Sequence, residues 1–170
     1  MVTIHPLNLK NLQELIDISK KTFTETFAKD NSDEDLQKYL NDSLSLEKIT
    51  SELNNKNSFF YFAKISNQII GYLKLNTADA QTENKIPQAV EIERIYVLKE
   101  FHGKAIGQTL LNFAIEFAKK QQLDILWLGV WEHNERAISF YKKNNFIAFD
   151  KHIFKLGGDL QTDILMKLKL

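Results

Sequence analysis

The stretch Glu91-Ile92-Glu93-Arg94-Ile95-Tyr96-Val97-Leu98-Lys99-Glu100-Phe101-His102-Gly103-Lys104-Ala105-Ile106-Gly107-Gln108 decides how the rest of the chain is read. Its first part, Glu91 to Leu98, is rich in the β-branched and aromatic residues that favour a strand. A turn at Gly103 follows, and an apolar pattern of helical period runs from about Ala105 to Gln121. Glycine lets the backbone turn sharply and approach a ligand closely. The first amides of a helix have no partner inside it and the helix dipole is positive there, so this strand, turn and helix suit a pyrophosphate, with Lys104 adding a charge. The glycine spacing alone fits a plain tight connection equally well. No Gly-Lys-Ser/Thr follows as in a P-loop, and the dinucleotide order Gly-x-Gly-x-x-Gly is missing.

Working outward, Ile125 to Trp131 reads as a strand and Asn134 to Lys143 as a helix whose apolar surface is Ala137, Ile138, Phe140 and Tyr141. Asn145 stands where that helix ends, and asparagine tolerates the left-handed conformation of such ends. Phe146 to Phe154 and Thr162 to Leu168, joined around Gly157-Gly158, predict a terminal hairpin. Upstream, Asn8 to Ala28 carries helical spacing with Asn8 or Asn11 as cap, and a second helical segment begins after Asn31-Ser32-Asp33 with a break near Asp42-Ser43. Ser58 to Ile65 and Ile69 to Leu75 flank Ser66-Asn67-Gln68 as a strand-turn-strand, and Asn76 to Gln88, polar and containing Pro87, predicts a surface loop. The alternation is that of an α/β sheet.

At 170 residues and 44% hydrophobic, the chain suffices for one core, so residues 1–170 are read as a single domain. The 22 basic residues match the 22 acidic ones, so no overall field draws it to nucleic acid or an anionic membrane. No cysteine is present, which removes disulfides, thiol nucleophiles and Cys-ligated zinc. A soluble, cytoplasmic protein is expected, because the N-terminus has no signal-peptide pattern and no apolar run reaches a membrane span. His5, His102, His133 and His152 are scattered without metal-ligand spacing, so no metal is expected.

Glu93 to Leu98 followed by Phe101 to Gly107 resembles the acetyl-CoA-binding strand, loop and helix of the GNAT acetyltransferases, whose loop usually reads Gln/Arg-x-x-Gly-x-Gly/Ala. His102 takes the first place and Gly107 the last, while Ala105 replaces the middle glycine. His102 still offers a hydrogen bond, and Ala105 is expected to hold helical dihedrals. Trp127 to Phe146 resembles a second family segment, Asn-x-x-Ala-x-x-Phe-Tyr-x-x-x-Gly-Phe, through Asn134, Ala137, Phe140, Tyr141 and Phe146, with Asn145 for the glycine. Trp127 to Glu132 and Lys155 to Asp163 look most like the PaiA-type spermidine/spermine acetyltransferases.

The resemblance implies a mixed α/β fold whose mostly antiparallel sheet has splayed strands and flanking helices. Acetyl-CoA would be held by the backbone of Ile95, Tyr96 and Val97, by the loop His102, Gly103, Lys104, Ala105, Ile106, Gly107 and Gln108, and by Asn134. It implies Tyr141 as general acid toward the leaving thiolate, against the plain alternative of a core ring beside Phe140. The Val97 N–H becomes the oxyanion donor. An alkyl ammonium has a pKa of about 10.4, so a base or water relay must take its proton. Glu93 is the first candidate, with Glu91 on the same strand face, and ordinary ion-paired carboxylates are the alternative. Trp131, Glu132 and the acidic run Asp33-Glu34-Asp35 are further candidates for a cationic substrate's pocket, although a solvated helix face explains that run too. The implied acceptor is a small-molecule amine, foremost a polyamine. A protein N-terminus, an amino acid, an aminoglycoside or an acyl-CoA-binding regulatory role stays open. Relatives of this kind are often homodimers.

Overall fold

Strand β1 (Val2–Pro6) enters the sheet first, before a 3-10 turn, Leu9–Asn11, and three helices, α1 (Leu12–Phe27), α2 (Asp33–Ser43) and α3 (Leu46–Asn54). Then come β2 (Ser58–Ile65), β3 (Gln68–Thr77), β4 (Ala89–Val97), α4 (Ile106–Lys120), β5 (Ile125–Trp131), α5 (Glu135–Lys143), β6 (Ile147–Leu156) and β7 (Asp159–Lys169). The computed structural model describes residues 1–83 and 85–170. Its seven strands form one sheet of order β1-β2-β3-β4-β5-β7-β6, in which every pair is antiparallel except β4–β5. A parallel pair needs a crossover, and α4 supplies it.

Local sequence explains the helix ends. Asn8 and Asn11 form a reciprocal cap at the first turn, and Ser32 and Ser45 each accept an amide at the starts of α2 and α3. The break expected near Asp42-Ser43 separates α2 from α3.

Two of the expected boundaries are corrected. The sequence assigns no element to Val2–Pro6, since Val2 and Ile4 alone give too short an alternation to register; pairing with β2 from Val2↔Ile65 to Pro6↔Tyr61 is what makes it the strand β1. Asn76, placed at the start of the loop, lies inside β3, where its amide faces the carboxylates of β4. The rest of that expected loop does connect β3 to β4, with a 3-10 turn at Ala78–Ala80; Asn84 lies outside the described residues.

The sheet divides two cores. On one face Leu126, Leu128 and Val130 pack with Ile106, Leu110, Leu111 and Ala114 of α4 and with Tyr141 of α5. On the other, Phe60, Phe62 and Tyr72 pack with Leu15, Phe23, Leu36, Leu40 and Ile49 of the three N-terminal helices. Burial of each such side chain is worth about 1.5–3 kcal/mol. β4 changes phase between these cores. Val90 and Ile92 belong to the α4 core and so do Ile95 and Val97, because the register shifts where Arg94 pairs Lys74 and Ile92 pairs Leu75. Glu93 is the extra residue of this bulge.

Candidate active site

β4 and β5 pair only where Ala89–Glu91 meets Ile125–Trp127; beyond that the strands diverge. A cleft of about 1290 Å³ occupies the divergence. Its β4 wall is backbone. Leu98 N–H donates to the Ile70 carbonyl at 2.9 Å, so Ile70 and Leu98 are a hydrogen-bonded pair and the next pair, Gly71↔Val97, is not. The N–H and C=O of Val97 therefore point away from β3, into the opening, and those of Ile95 do the same two residues earlier. Tyr96, grouped with them from the sequence, directs its own backbone groups to Tyr72 and contributes no peptide group to the cleft. A Cβ on Gly71 would lie 2.5 Å from the Tyr96 carbonyl oxygen, so only glycine lets the strands meet this closely.

The loop into α4 turns through Gly103, whose φ is 77°. Ala105 does not hold the expected right-handed helical dihedrals. It is left-handed at φ 58°, ψ 13°, the conformation for which glycine is usual, at a cost of about 1–2 kcal/mol. This turn directs the amides of Ile106, Gly107 and Gln108 outward, since the first carbonyl of the helix, Ala105, already receives Thr109 N–H at 3.0 Å. A phosphate would find these donors at the positive end of the α4 dipole.

The side chains of the loop do less than expected. Arg136 donates to His102 Nδ1 at 2.7 Å; arginine only donates, so His102 Nε2 carries the proton and donates to the Val97 carbonyl at 2.8 Å. Both ring nitrogens are thereby engaged, and the hydrogen bond expected from His102 to a cofactor is already committed within the protein. Arg136, which the sequence did not single out, borders the cleft here as a cation. Lys104 lies over the Phe101 ring at 4.8 Å and is not part of the cleft wall. Gln108 donates its side-chain NH2 to Asn112 at 2.9 Å and to Asn144 at 2.8 Å, tying α4 to α5, so its backbone N–H is the donor it offers a phosphate. Asn134 caps α5 by accepting from Ala137 N–H at 3.2 Å, and still borders the cleft.

Tyr141 is buried among Phe140 and Phe146 on the α4 side, with its hydroxyl free of hydrogen bonds to the described residues, and it borders the cleft. Burial raises its pKa, so it carries its proton at neutral pH.

Across the sheet lies a charged cluster. Glu52 of α3 forms a fork with Arg94 at 2.8 and 2.9 Å and contacts Lys74 at 3.1 Å. Glu93 contacts Lys74 at 2.5 Å and Arg94 at 3.1 Å and accepts from Asn76 at 2.5 Å. Burial works against the charge of Glu93, but Arg94 and Lys74 outweigh it and hold the carboxyl down at about 2. Glu91, as expected, shares the face and reaches the same Asn76 amide at 3.1 Å; it also accepts from Thr82 N–H at 2.8 Å and from the Thr82 hydroxyl. Burial pushes Glu91 upward, and Thr82 opposes this. The two carboxylates, read from the sequence as sharing one strand face, are thus driven apart, Glu93 fixed as an anion and Glu91 readier to take a proton.

The same face continues past Gly129 to Phe27, Trp131, His152, Phe154 and Asp163, all bordering the cleft. Of these only Trp131 was legible beforehand. Asp33 and Glu34 are not part of the wall, nor is Asp35, which instead accepts the Gly158 N–H at 2.5 Å and pins the β6–β7 hairpin to α2. Glu132 also lies outside the wall.

The acetyltransferase (GNAT) family matches residues 12–146. The chain is 45% identical over 169 residues to an uncharacterised N-acetyltransferase encoded in the pepI 3′ region of Lactobacillus delbrueckii subsp. lactis, covering 99% of this chain and 98% of that one. It is 28% identical over 153 residues to the spermidine N(1)-acetyltransferase of Thermoplasma acidophilum, covering 88% and 90%. The crystal structure of the PaiA N-acetyltransferase of Thermoplasma acidophilum in complex with coenzyme A superposes with a TM-score of 0.81 at 26% identity, over 100% of this chain and 99% of that one. The chain belongs to the GNAT acetyltransferase family and is an N-acetyltransferase whose co-substrate is acetyl-CoA.

Proposed function

We propose that this N-acetyltransferase transfers the acetyl group to a primary amine of a polyamine such as spermidine or spermine, by direct attack on the thioester. The observation that carries the acceptor class is the wall of the sheet face opposite Tyr141, where Glu83, Glu91, Glu93 and Asp163 border one cleft beside the aromatic rings of Phe27 and Trp131. Carboxylates with aromatic faces suit an alkyl ammonium and its methylene chain. The likeness to a relative named as a spermidine N(1)-acetyltransferase supports the same class.

In this reading the pyrophosphate of acetyl-CoA meets the amides of Ile106, Gly107 and Gln108, with Arg136 adding charge, and the pantetheine arm meets the peptide groups that Ile95 and Val97 direct into the cleft, the Val97 carbonyl being shared with His102. The Val97 N–H faces the carbonyl oxygen as it becomes an oxyanion. Tyr141 donates its hydroxyl proton to the departing thiolate. Glu93 holds the attacking ammonium in place and is too weak a base to deprotonate it; its proton leaves through water at the Glu91–Glu93 pair, Glu91 being the more basic partner. A cytoplasmic site of action and a homodimeric state fit this reading.

The test is release of free CoA from acetyl-CoA with spermidine, spermine, lysine, an N-terminal peptide and an aminoglycoside side by side. The polyamines are expected to give the highest kcat/KM. A peptide or aminoglycoside outpacing them would end the polyamine assignment and leave the transferase standing.

A further inference from the structure

Gly129 is exposed although it lies in the middle of β5, two residues beyond the last pairing with β4. A Cβ there would meet Asp163 Oδ2 at 3.3 Å and His152 Cε1 at 3.6 Å. The missing side chain is thus a passage from the opening toward those two residues. Trp131↔Asp163 and His152↔Asp163 are register pairs across β5, β7 and β6, so the three side chains stand in a row on the face opposite Tyr141. Glu83, from the connection between β3 and β4, closes the row: its carboxylate lies 3.2 Å from His152 Nδ1, and that of Asp163 lies 3.5 Å from His152 Nε2.

The imidazole thus sits between two carboxylates. The other charged groups around it are Lys85 and Asp150, which pair with each other at 2.7 Å, and Lys85 is 3.8 Å from Glu83. The ring is held loosely, for Nδ1 is buried and has no well-formed hydrogen bond with the described residues. Neither Glu83 nor Asp163 has an arginine partner comparable to that of Glu52 among the described residues. Two carboxylates with an imidazolium as loosely held counter-ion, reached over a glycine from the reaction centre and flanked by Trp131, form a place that another cation can take.

We propose that Glu83 and Asp163 form the subsite for the second ammonium of a diamine or polyamine acceptor, with His152 as the resident cation that this ammonium displaces. The inference rests on the amine-acceptor reading above and specifies the acceptor as one carrying two cationic groups. It has a pH signature. The close contact with the Asp163 carboxylate comes first among the influences that raise the His152 pKa, burial opposes it, and the charge of Glu83 adds to the rise. Below that pKa the imidazolium competes for the carboxylates; above it the ring is neutral and the ammonium enters without displacing a proton. Diamine affinity therefore rises with pH through the His152 titration, whereas a monoamine, which does not reach the subsite, lacks this dependence.

The experiment measures KM for putrescine, spermidine and butylamine between about pH 6 and about pH 8.5, in the whole enzyme and in Asp163→Asn and His152→Gln. The butylamine-to-diamine KM ratio is expected to be roughly five- to tenfold at the upper pH and to shrink toward the lower. Asp163→Asn is expected to collapse the ratio at every pH, and His152→Gln to keep it high and flatten its pH dependence. A ratio near one throughout, or one that ignores both substitutions, overturns the subsite while leaving the amine acetyltransferase intact. Calorimetry of putrescine on the CoA-loaded protein, in two buffers of different ionisation heat, gives a readout independent of turnover: proton release on binding near pH 6.5 is expected, and binding without it overturns the displacement. No amine-stimulated CoA release at all would instead count against the amine-acceptor reading itself.

Discussion

The two halves of the cleft are built from different materials. On the α4 side the cleft offers peptide groups, those of Ile95, Val97 and the first turn of α4, whereas the opposite face is walled by side chains, carboxylates and aromatic rings foremost, from α1, the β3–β4 connection, β4, β5, β6 and β7. A backbone-built site tolerates substitution as long as the chain keeps its path, which is why His102 and Ala105 can depart from the usual loop residues. A site built of side chains changes with every residue, and that freedom is where acceptor specificity resides.

The largest effect should come from the one side chain that the α4 half contributes to chemistry. Tyr141→Phe is expected to lower kcat by about 10²–10⁴-fold, the usual worth of a general acid, with acetyl-CoA affinity retained in a direct binding measurement. An unchanged kcat would return Tyr141 to a core role. Next is Gly71→Ala: the added Cβ must displace the Tyr96 carbonyl, 2.5 Å away, and with it the path of β4. A loss of about 1–3 kcal/mol in urea unfolding is expected, together with weakened acetyl-CoA binding, although the residue touches no ligand.

Glu93 sharpens the contrast through pH. Its folded pKa, about 2, lies below the unfolded value of about 4.3, so its stabilising contribution is complete above the unfolded value and is lost as pH falls toward the folded one. Stability of the native protein should therefore decline through that acid window, and Glu93→Gln should remove part of the decline. The smallest effect is expected at Ala105→Gly, where relief of the left-handed alanine, about 1 kcal/mol, is partly offset by the entropy of a more flexible unfolded chain. A slight rise in melting temperature with unchanged or lower KM for acetyl-CoA would fit, and a large loss would mean that Ala105 makes a contact of its own.

What could be read from the sequence follows the same division. The α4 half lies within one continuous stretch, Glu91 to Gln108, plus the helix carrying Tyr141, so strand, turn and helix signals and the family pattern were all local. The acceptor half is assembled by β-pairing across long separations: Asp163 meets His152 and Trp131 through register, and Glu83 arrives from a connection that reads only as polar. Glu91 and Glu93 were visible as a pair with a shared face. Their opposite electrostatics were not, because Arg94 and Lys74 reach Glu93 through a bulge that no alternation pattern discloses, and Glu52 comes from a distant helical segment in which nothing local singles it out. Ala105 shows a related limit: its conformation is imposed by the turn into α4, against alanine's own preference.

The central claim is that both halves are filled at once, acetyl-CoA along the backbone-built side and the amine along the other, so that transfer is direct. Initial rates with acetyl-CoA and spermidine varied together test this most simply. Double-reciprocal lines that intersect, with no acetyl group retained on the protein when amine is omitted, are the expected result. Parallel lines with a stable acetyl-protein would show transfer through an enzyme nucleophile and contradict it.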